Sequence, residues 1–194
     1  MEAVFGSATE TDLDVCKTIF GANVFGVMNM CQTFLPELLA AKGSIINMGS
    51  VAGYIPLPFM SNYAASKAAL HAYSGSMRVE LASLGVKVTY VMTGNVNTNT
   101  VSSKYHLDNS SLWYPVNDNF EEQHKAATTG MDPADFAKSL ADQMTGRHKD
   151  TIWVGEGALM CRIISGLEHY LPFRLWSTIF SQGYEMKRAG FRKE

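Results

Sequence analysis

Three side chains that can handle a proton stand close together in the first half of the chain. Tyr63 and Lys67 are four positions apart, and Ser50 precedes Tyr63 by thirteen. Residues four positions apart, such as Tyr63 and Lys67, share one face of a helix. A charge at about 4 Å and a dielectric of about 20 is worth roughly 4 kcal/mol, or about three pKa units. We therefore expect Lys67 to lower the pKa of Tyr63, and Ser50 to hydrogen-bond a substrate carbonyl.

The Tyr-x-x-x-Lys spacing alone is weak evidence, because Lys67 could equally be a solvated helix residue. The position of Ser50 adds weight to the catalytic interpretation. The stretch 44–50 is short, apolar and β-branched at its start, which predicts a buried strand with Ser50 at its carboxyl end. In open α/β sheets, ligands bind at that end.

Helices and strands alternate along the rest of the chain. Apolar residues recur at helical spacing from Thr11 to Lys42, with Thr9 or Thr11 as the cap and a kink expected at Pro36. Further helices are predicted at 62–84, capped by Ser61 or Asn62, and at 132–146, and further strands at 86–92 and 150–155. This order predicts an α/β fold with parallel strands.

Composition and charge exclude several classes of protein. The chain has 194 residues, 46% of them hydrophobic, and a net charge of −2, which favours an ordered globular protein with no nucleic-acid partner. The cysteines at 16, 31 and 161 lie in apolar contexts and are interpreted as reduced core thiols. The five histidines lack metal-ligand spacing, so no metal site is predicted. Residues 1–10 have neither the basic start nor the apolar run of a signal peptide, and we expect a cytoplasmic protein.

Three motifs together resemble the short-chain dehydrogenase/reductase family. They are the segment from NMGSVAGY through NYAASK to VMTG at 47–94, GANVFG at 21–26 and TGNVNT at 93–98. The resemblance implies a partial Rossmann-like, doubly wound parallel sheet formed by residues 1–155. It implies an oxidoreductase in which Tyr63 is the general acid, Lys67 lowers its pKa and binds the nicotinamide ribose, and Ser50 orients the carbonyl. Asn23 would hold a water that links Lys67 to solvent.

The same resemblance implies a cofactor, NADP(H), contacted by Val96 and Thr98 as well as by Tyr63 and Lys67. Thr93 departs from the family, which usually has proline there. The family's glycine-rich phosphate turn is not found in this sequence. We therefore expect either a truncated form of an ordinary reductase or a chain that occurs naturally at this length and has an impaired cofactor site. A strand at 44–50 with a bare edge would favour aggregation or pairing with another chain, such as a homo-oligomer. We expect the isolated chain to be poorly soluble or to bind NADPH only weakly.

Apolar residues predict a lipid-like or polyketide-like ketone as substrate. They lie at 55–60 and in a lid predicted within the weakly periodic segment 99–130: Ile55, Leu57, Phe59, Met60, Tyr105, Leu107, Trp113 and Tyr114. Ordinary core packing explains them nearly as well.

The tail at 156–194 is predicted to be helical, apolar and basic. It either packs on the domain or lies at a membrane surface such as the endoplasmic reticulum or lipid droplets. It is similar to tails of the family's fungal acyl-dihydroxyacetone-phosphate reductase branch, and that branch is similar to secondary-metabolite tailoring reductases. A non-catalytic remnant that binds a partner chain or a lipid surface is the alternative function.

Overall fold

The computed structural model describes residues 5–98, 107–127, 129–167 and 174–186. Within these ranges the chain forms eight α-helices and three strands, and the strands make one sheet. The strands are β1 (Ser44–Met48), β2 (Lys87–Thr93) and β3 (Thr151–Val154). The helices are α1 (Leu13–Phe20), α2 (Gly26–Thr33), α3 (Leu35–Ala41), α4 (Ser61–Ala82), α5 (Asn117–Ala127), α6 (Pro133–Thr145), α7 (Ala158–Leu167) and α8 (Arg174–Gly183). Shorter turns are a π-helical turn at Gly21–Phe25 and 3₁₀ turns at Val51–Gly53 and Tyr114–Val116.

All three strands are parallel, in the order β1-β2-β3. The register pairs Asn47 with Tyr90 and Tyr90 with Thr151, so β2 lies at the centre of the described sheet. The predicted α/β fold with parallel strands is confirmed. Parallel strands end at the same edge, so the loops that follow β1 and β2 lie side by side.

Helices cover both faces of the sheet, as a doubly wound fold requires. On one face Tyr90 and Met92 of β2 pack with Leu70 of α4. On the other, Val91 packs in a cluster with Phe136 and Leu140 of α6. Residues of β2 thus alternate between two separate cores, which explains a strand that is buried over most of its length.

Strand β1 lies at the edge of the described sheet, although its apolar sequence is typical of a central strand. An apolar groove of about 550 Å³ runs between β1 and the helices before it. Val27, Met30 and Phe34 line the helical side, and Ile45 and Met48 line the strand side.

The predicted helix at 11–42 is divided into three α-helices and the π-helical turn. Asp12 caps α1 by accepting a hydrogen bond from the Asp14 amide (2.6 Å), so Thr9 and Thr11 do not cap it. The helix breaks at Phe34 and bends by 53°, because Pro36 follows in the first turn of α3. In the described part of the chain no single helix is long and apolar enough to cross a bilayer, although the bent pair Leu13–Thr33 and Leu35–Ala41 meets that test by length and composition alone.

A side-chain cap is present at the start of α6 but not at the start of α4. Asp132 accepts from the Ala134 amide (2.8 Å) at the start of α6, as predicted. Helix α4 begins after Met60 without a side-chain cap, so the predicted caps Ser61 and Asn62 are wrong. The turn after α4 contains Gly85 at φ +81°, a left-handed conformation that favours glycine.

The segment 107–127 is more ordered than the predicted long loop. It forms α5, whose Phe120 is buried with Phe5, Phe59, Leu107 and Val116. Apolar packing against the loop before α4 overrides the weak periodicity of this segment. Tyr105 lies outside the described residues.

The described part of the tail packs on the domain at two places. Helix α7 contacts β3 and buries Ala158, and the ring of Tyr184 lies 5.6 Å from that of Phe59 between centroids. A division of the chain at residues 155 and 156 stays a prediction. The three cysteines are free thiols, with Cys31 and Cys161 buried and Cys16 half-buried.

Candidate active site

The strand end places Ser50 where the sequence predicted it. Gly49 and Ser50 follow β1 directly, and Ser50 is extended (φ −157°, ψ 149°) before the 3₁₀ turn at Val51–Gly53. Its hydroxyl accepts a hydrogen bond from the Ala52 amide at 3.1 Å and shares another with the phenol of Tyr63. Capping the turn therefore fixes the hydroxyl beside that phenol.

Helix α4 places Tyr63 and Lys67 together on a buried face near its start. Lys67 is 0% exposed and Tyr63 is 9% exposed. The Lys67 ammonium lies 5.6 Å from the centroid of the Tyr63 ring. The structure thus brings Ser50, Tyr63 and Lys67 into one group, and their roles stay predictions.

Burial of Lys67 disfavours its charged form. The Nζ atom donates to the main-chain carbonyl of Met48, the last residue of β1, at 2.9 Å. Desolvation lowers the pKa of Lys67 from 10.5 to about 8. Keeping a poorly solvated ammonium charged at the end of a strand costs free energy. Such perturbed pKa values are typical of functional sites.

The pKa of Tyr63 does not follow the expectation from the sequence. Burial raises it above 10.0, and the Ser50 hydrogen bond lowers it by less. Desolvation of the buried phenol, which residue spacing does not reveal, outweighs the effect expected from the charge of Lys67. Moreover, Lys67 directs its ammonium to the Met48 carbonyl. A neutral phenol at physiological pH is the protonated form that carbonyl reduction needs.

Asn23 is joined to the same helix through a buried chain of hydrogen bonds. It lies in the π-helical turn, is 1% exposed and donates from Nδ2 to Ser66 Oγ at 3.1 Å. Ser66 in turn donates to the main-chain carbonyl of Tyr63 at 2.7 Å. The Asn23 Oδ1 atom is buried with no partner among the described residues, and such an acceptor favours a water or ligand donor. Its predicted role in holding a water stays a prediction.

The loop after β2 carries the other two predicted cofactor residues. Val96 is half-buried and forms a bridge with Met131, while Thr98 is exposed. Because β1 and β2 are parallel neighbours, this loop leaves the same sheet edge as Ser50. Thr93, at the end of β2, has a buried hydroxyl without a partner in the described residues.

These groups fit one end of a nicotinamide dinucleotide. A phenol, an ammonium and the Thr93 and Asn23 oxygens, which have no partner among the residues that the structure describes, suit ribose hydroxyls, a carboxamide and water. The sequence offers no glycine-rich turn for the pyrophosphate. The fit therefore covers the reacting end of the cofactor alone.

Two residues at the site escaped the sequence reasoning. Ser66 connects Asn23 to α4, and Tyr90 donates from its hydroxyl to the carbonyl of Lys67 at 2.9 Å. The sequence signal available for Tyr90 was a tyrosine in the middle of the predicted strand at 86–92, downstream of the glycine-serine pair at the end of the predicted strand at 44–50.

Comparison with known proteins places these features in context. The family model described as short chain dehydrogenase matches residues 3–108. A short-chain dehydrogenase of Hypocrea virens is 31% identical over 176 residues, which are 90% of this chain and 59% of that protein. The NADPH-dependent 1-acyldihydroxyacetone phosphate reductase of Saccharomyces cerevisiae is 38% identical over 191 residues, which are 94% of this chain and 61% of that protein. The chain thus spans about three fifths of these relatives.

A solved structure shares the fold. The short chain dehydrogenase of Burkholderia cenocepacia, crystallised in complex with NADP, superposes with a TM-score of 0.69 and 22% identity. The match covers 92% of this chain and 65% of that one. At this identity the likeness shows a shared fold.

Proposed function

Because the chain belongs to the short-chain dehydrogenase family, we propose that it carries the proton-transfer site of an NADPH-dependent ketone reductase. The observation that carries the proposal is the buried group in which Ser50 hydrogen-bonds Tyr63 and Lys67 lies over the same ring. The preference for NADPH rests on the yeast relative, whose name states it.

The chain's residues divide the reaction among them. Tyr63, neutral at physiological pH, gives its proton to the carbonyl oxygen of the substrate. Ser50 donates a hydrogen bond to the same oxygen as negative charge develops on it. Lys67 keeps a positive charge near the phenol, so the phenolate left after proton transfer is stabilised until it is reprotonated.

The cofactor's reacting end would be held by Tyr63, Lys67, Val96 and Thr98. When bound, the reduced nicotinamide supplies a hydride to the carbonyl carbon. Asn23, whose buried Oδ1 atom has no partner in the described part of the chain, would hold a water on the route by which protons return to Tyr63.

The proposed substrate is a ketone with a lipid-like or polyketide-like body. The ring of Phe59, in the loop before α4, lies 5.8 Å from that of Trp113 between centroids. Met60 and the buried Leu107 pack in the same cluster, so the two apolar segments singled out in the sequence meet next to the start of α4.

NADPH oxidation by the 194-residue chain, measured with long-chain and short-chain ketones, tests this proposal. We expect faster turnover with the long-chain ketones, and a loss of at least about 100-fold for Tyr63→Phe, since a positioned acid contributes 10²–10⁴. Tyr73→Phe, at a half-buried tyrosine of the same helix, is the control. Equal turnover by Tyr63→Phe and the wild type would remove Tyr63 from the reaction.

The alternative, a non-catalytic binding module, predicts a different result in one titration. When NADPH is titrated into the protein, this alternative predicts no quenching of the protein fluorescence. It also predicts no heat of binding in calorimetry at any concentration reached. The reductase proposal predicts binding, even if weak, that Lys67→Met reduces.

We also propose that the tail attaches the protein to a lipid surface. Helix α7 exposes an apolar stripe of Leu159 (68%), Met160 (61%), Ile163 (53%) and Leu167 (48%). Their spacing places them on one side of the helix. The chain's last eight residues include basic side chains at 187, 188, 192 and 193, which suit anionic headgroups.

Flotation with anionic lipid vesicles tests the attachment. Ile163→Asp should reduce the bound fraction, whereas Val79→Asp, at an apolar residue of α4 that is 78% exposed, should not. Equal flotation of both variants, or none by the wild type, would contradict it.

A further inference from the structure

Tyr90 lies at the contact between the two elements that carry the candidate catalytic side chains. It is 0% exposed and sits in the middle of β2, paired with Asn47 on one side and Thr151 on the other. Its amide donates to the carbonyl of Asp150 at 3.0 Å. The central strand therefore fixes where its side chain starts.

The Tyr90 hydroxyl bridges the main chains of Ser50 and Lys67. It donates to the Lys67 carbonyl at 2.9 Å. On the strand side the hydroxyl lies against the main chain of Gly49 and Ser50: a Cβ atom on Gly49 would overlap the Tyr90 oxygen, and a hydrogen bond from the Ser50 main chain lowers the pKa of Tyr90 against the larger rise that burial causes. One oxygen thus joins the strand end that carries Ser50 to the helix turn that carries Lys67. A hydroxyl can donate and accept at once, which a phenylalanine ring cannot.

Close packing at two glycines reinforces this bridge. A Cβ atom on Gly49 would overlap Cζ of Tyr90, so the ring lies directly on the main chain before Ser50. A Cβ atom on Gly53 would lie 2.9 Å from the amide of Ala68, so the turn after Ser50 also rests on α4 beside Lys67. Glycine is required at both positions because no side chain fits.

The ring is held on its other side as well. It packs with Leu70 and Met92, and its centroid lies 4.8 Å from that of His71 in an edge-to-face arrangement. The hydroxyl therefore cannot move away from its two partners without displacing buried side chains.

We propose that Tyr90 is a positioning residue of the reductase site, whose hydroxyl sets the distance between Ser50 and Tyr63 by tying the Ser50 main chain to α4. This inference rests on the proposed function, because Ser50 and Tyr63 act there. Tyr90 acts through their placement and does not touch the substrate. A phenol that is itself buried and whose pKa burial raises keeps its proton and remains a donor to Lys67.

Tyr90→Phe removes the hydroxyl and keeps the ring, and Tyr73→Phe is the matched control. In ketone reduction we expect Tyr90→Phe to lower kcat at least tenfold with KM changed less than twofold, while Tyr73→Phe leaves both unchanged. A loss in KM alone, or equal effects of both variants, would overturn the inference. Thermal unfolding of each variant shows whether a change in kcat merely follows a change in folding.

A second readout needs no turnover and separates the two proposals. The ultraviolet titration of Tyr63, taken as the difference between the wild type and Tyr63→Phe, should move to higher pH when Tyr90→Phe is present, because the Ser50 hydrogen bond that lowers the pKa of Tyr63 is weakened. An unchanged titration would refute the positioning role. If no ketone is reduced by the wild type but the titration moves, the proposed function fails and the positioning role stands.

Discussion

Replacing Lys67 by methionine should stabilise the protein at neutral pH. Methionine has a similar length and no charge, and Lys67 is 0% exposed. Burial lowers the lysine pKa from 10.5 to about 8. At about 1.4 kcal/mol per pKa unit, lowering the pKa from 10.5 to about 8 corresponds to about 3 kcal/mol lost by keeping the charge buried. Losing the bond from the charged Nζ to the Met48 carbonyl (2.9 Å) offsets about 2 kcal/mol, for a net gain of about 1 kcal/mol.

The pH dependence of the gain identifies its cause. Below about pH 8 the lysine is protonated in both states, so the whole penalty is present. Between about 8 and 10.5 the unfolded chain binds a proton that the folded chain does not, and the stability of the wild type rises with pH. The advantage of Lys67→Met should therefore be constant below pH 8 and shrink above it.

Urea unfolding from pH 6 to pH 10 measures this difference. Lys138→Met, at an exposed lysine of α6, controls for loss of a lysine as such and should change the free energy of unfolding by less than about 0.5 kcal/mol. A Lys67→Met variant less stable than the wild type at pH 7, or a difference that does not vary between pH 8 and 10, would refute the reasoning. It would mean that the bonds of the ammonium outweigh its desolvation.

Three other outcomes follow from the same contacts. The rate of ketone reduction should fall above about pH 8, up to tenfold per pH unit, as Lys67 loses its charge, and a rate that rises there would contradict the role of that charge. Gly49→Ala should cost about 3 kcal/mol in urea unfolding because of the clash with Tyr90, and most of that cost should disappear in a Tyr90→Leu background; additive effects would show that the two do not touch. Ser66→Ala should cost about 1–3 kcal/mol, since it leaves the Asn23 amide without its acceptor, and a neutral effect would mean that water replaces the hydroxyl.

The sequence predicted the elements of the site better than the contacts between them. Periodicity and end signals located α4, α6 and all three strands to within two residues, because strong apolar patterns and Gly85 mark them. The kink of the long first helix at Pro36 was predicted, but its interruption at Gly21–Phe25 was not, since the π-helical turn that buries Asn23 leaves no mark in hydrophobic spacing. Helix α5 was missed because packing against Phe59, distant in sequence, stabilises it.

The electrostatics of the site could not be predicted from spacing. The i,i+4 rule placed Lys67 beside Tyr63 correctly, but it says nothing of how deeply both are buried or of a main-chain carbonyl that accepts from the ammonium. Met48 supplies that carbonyl from the end of β1, nineteen residues earlier in the chain. Main-chain acceptors have no residue type, so a search for side chains overlooks them.

Burial reverses the order in which the two groups were expected to titrate. A lysine that lowers the pKa of a tyrosine would produce a phenolate while the ammonium persists. In the structure burial raises the pKa of Tyr63 above 10.0 and lowers that of Lys67 to about 8, so on raising the pH the lysine loses its proton first. The alkaline limb of the reduction rate then belongs to Lys67, and Tyr63 keeps the proton it must donate throughout the working range. Lys67→Arg separates the two assignments: an arginine stays charged above pH 12, so any activity it retains should lose the decline near pH 8, whereas a decline that persists would return that limb to Tyr63.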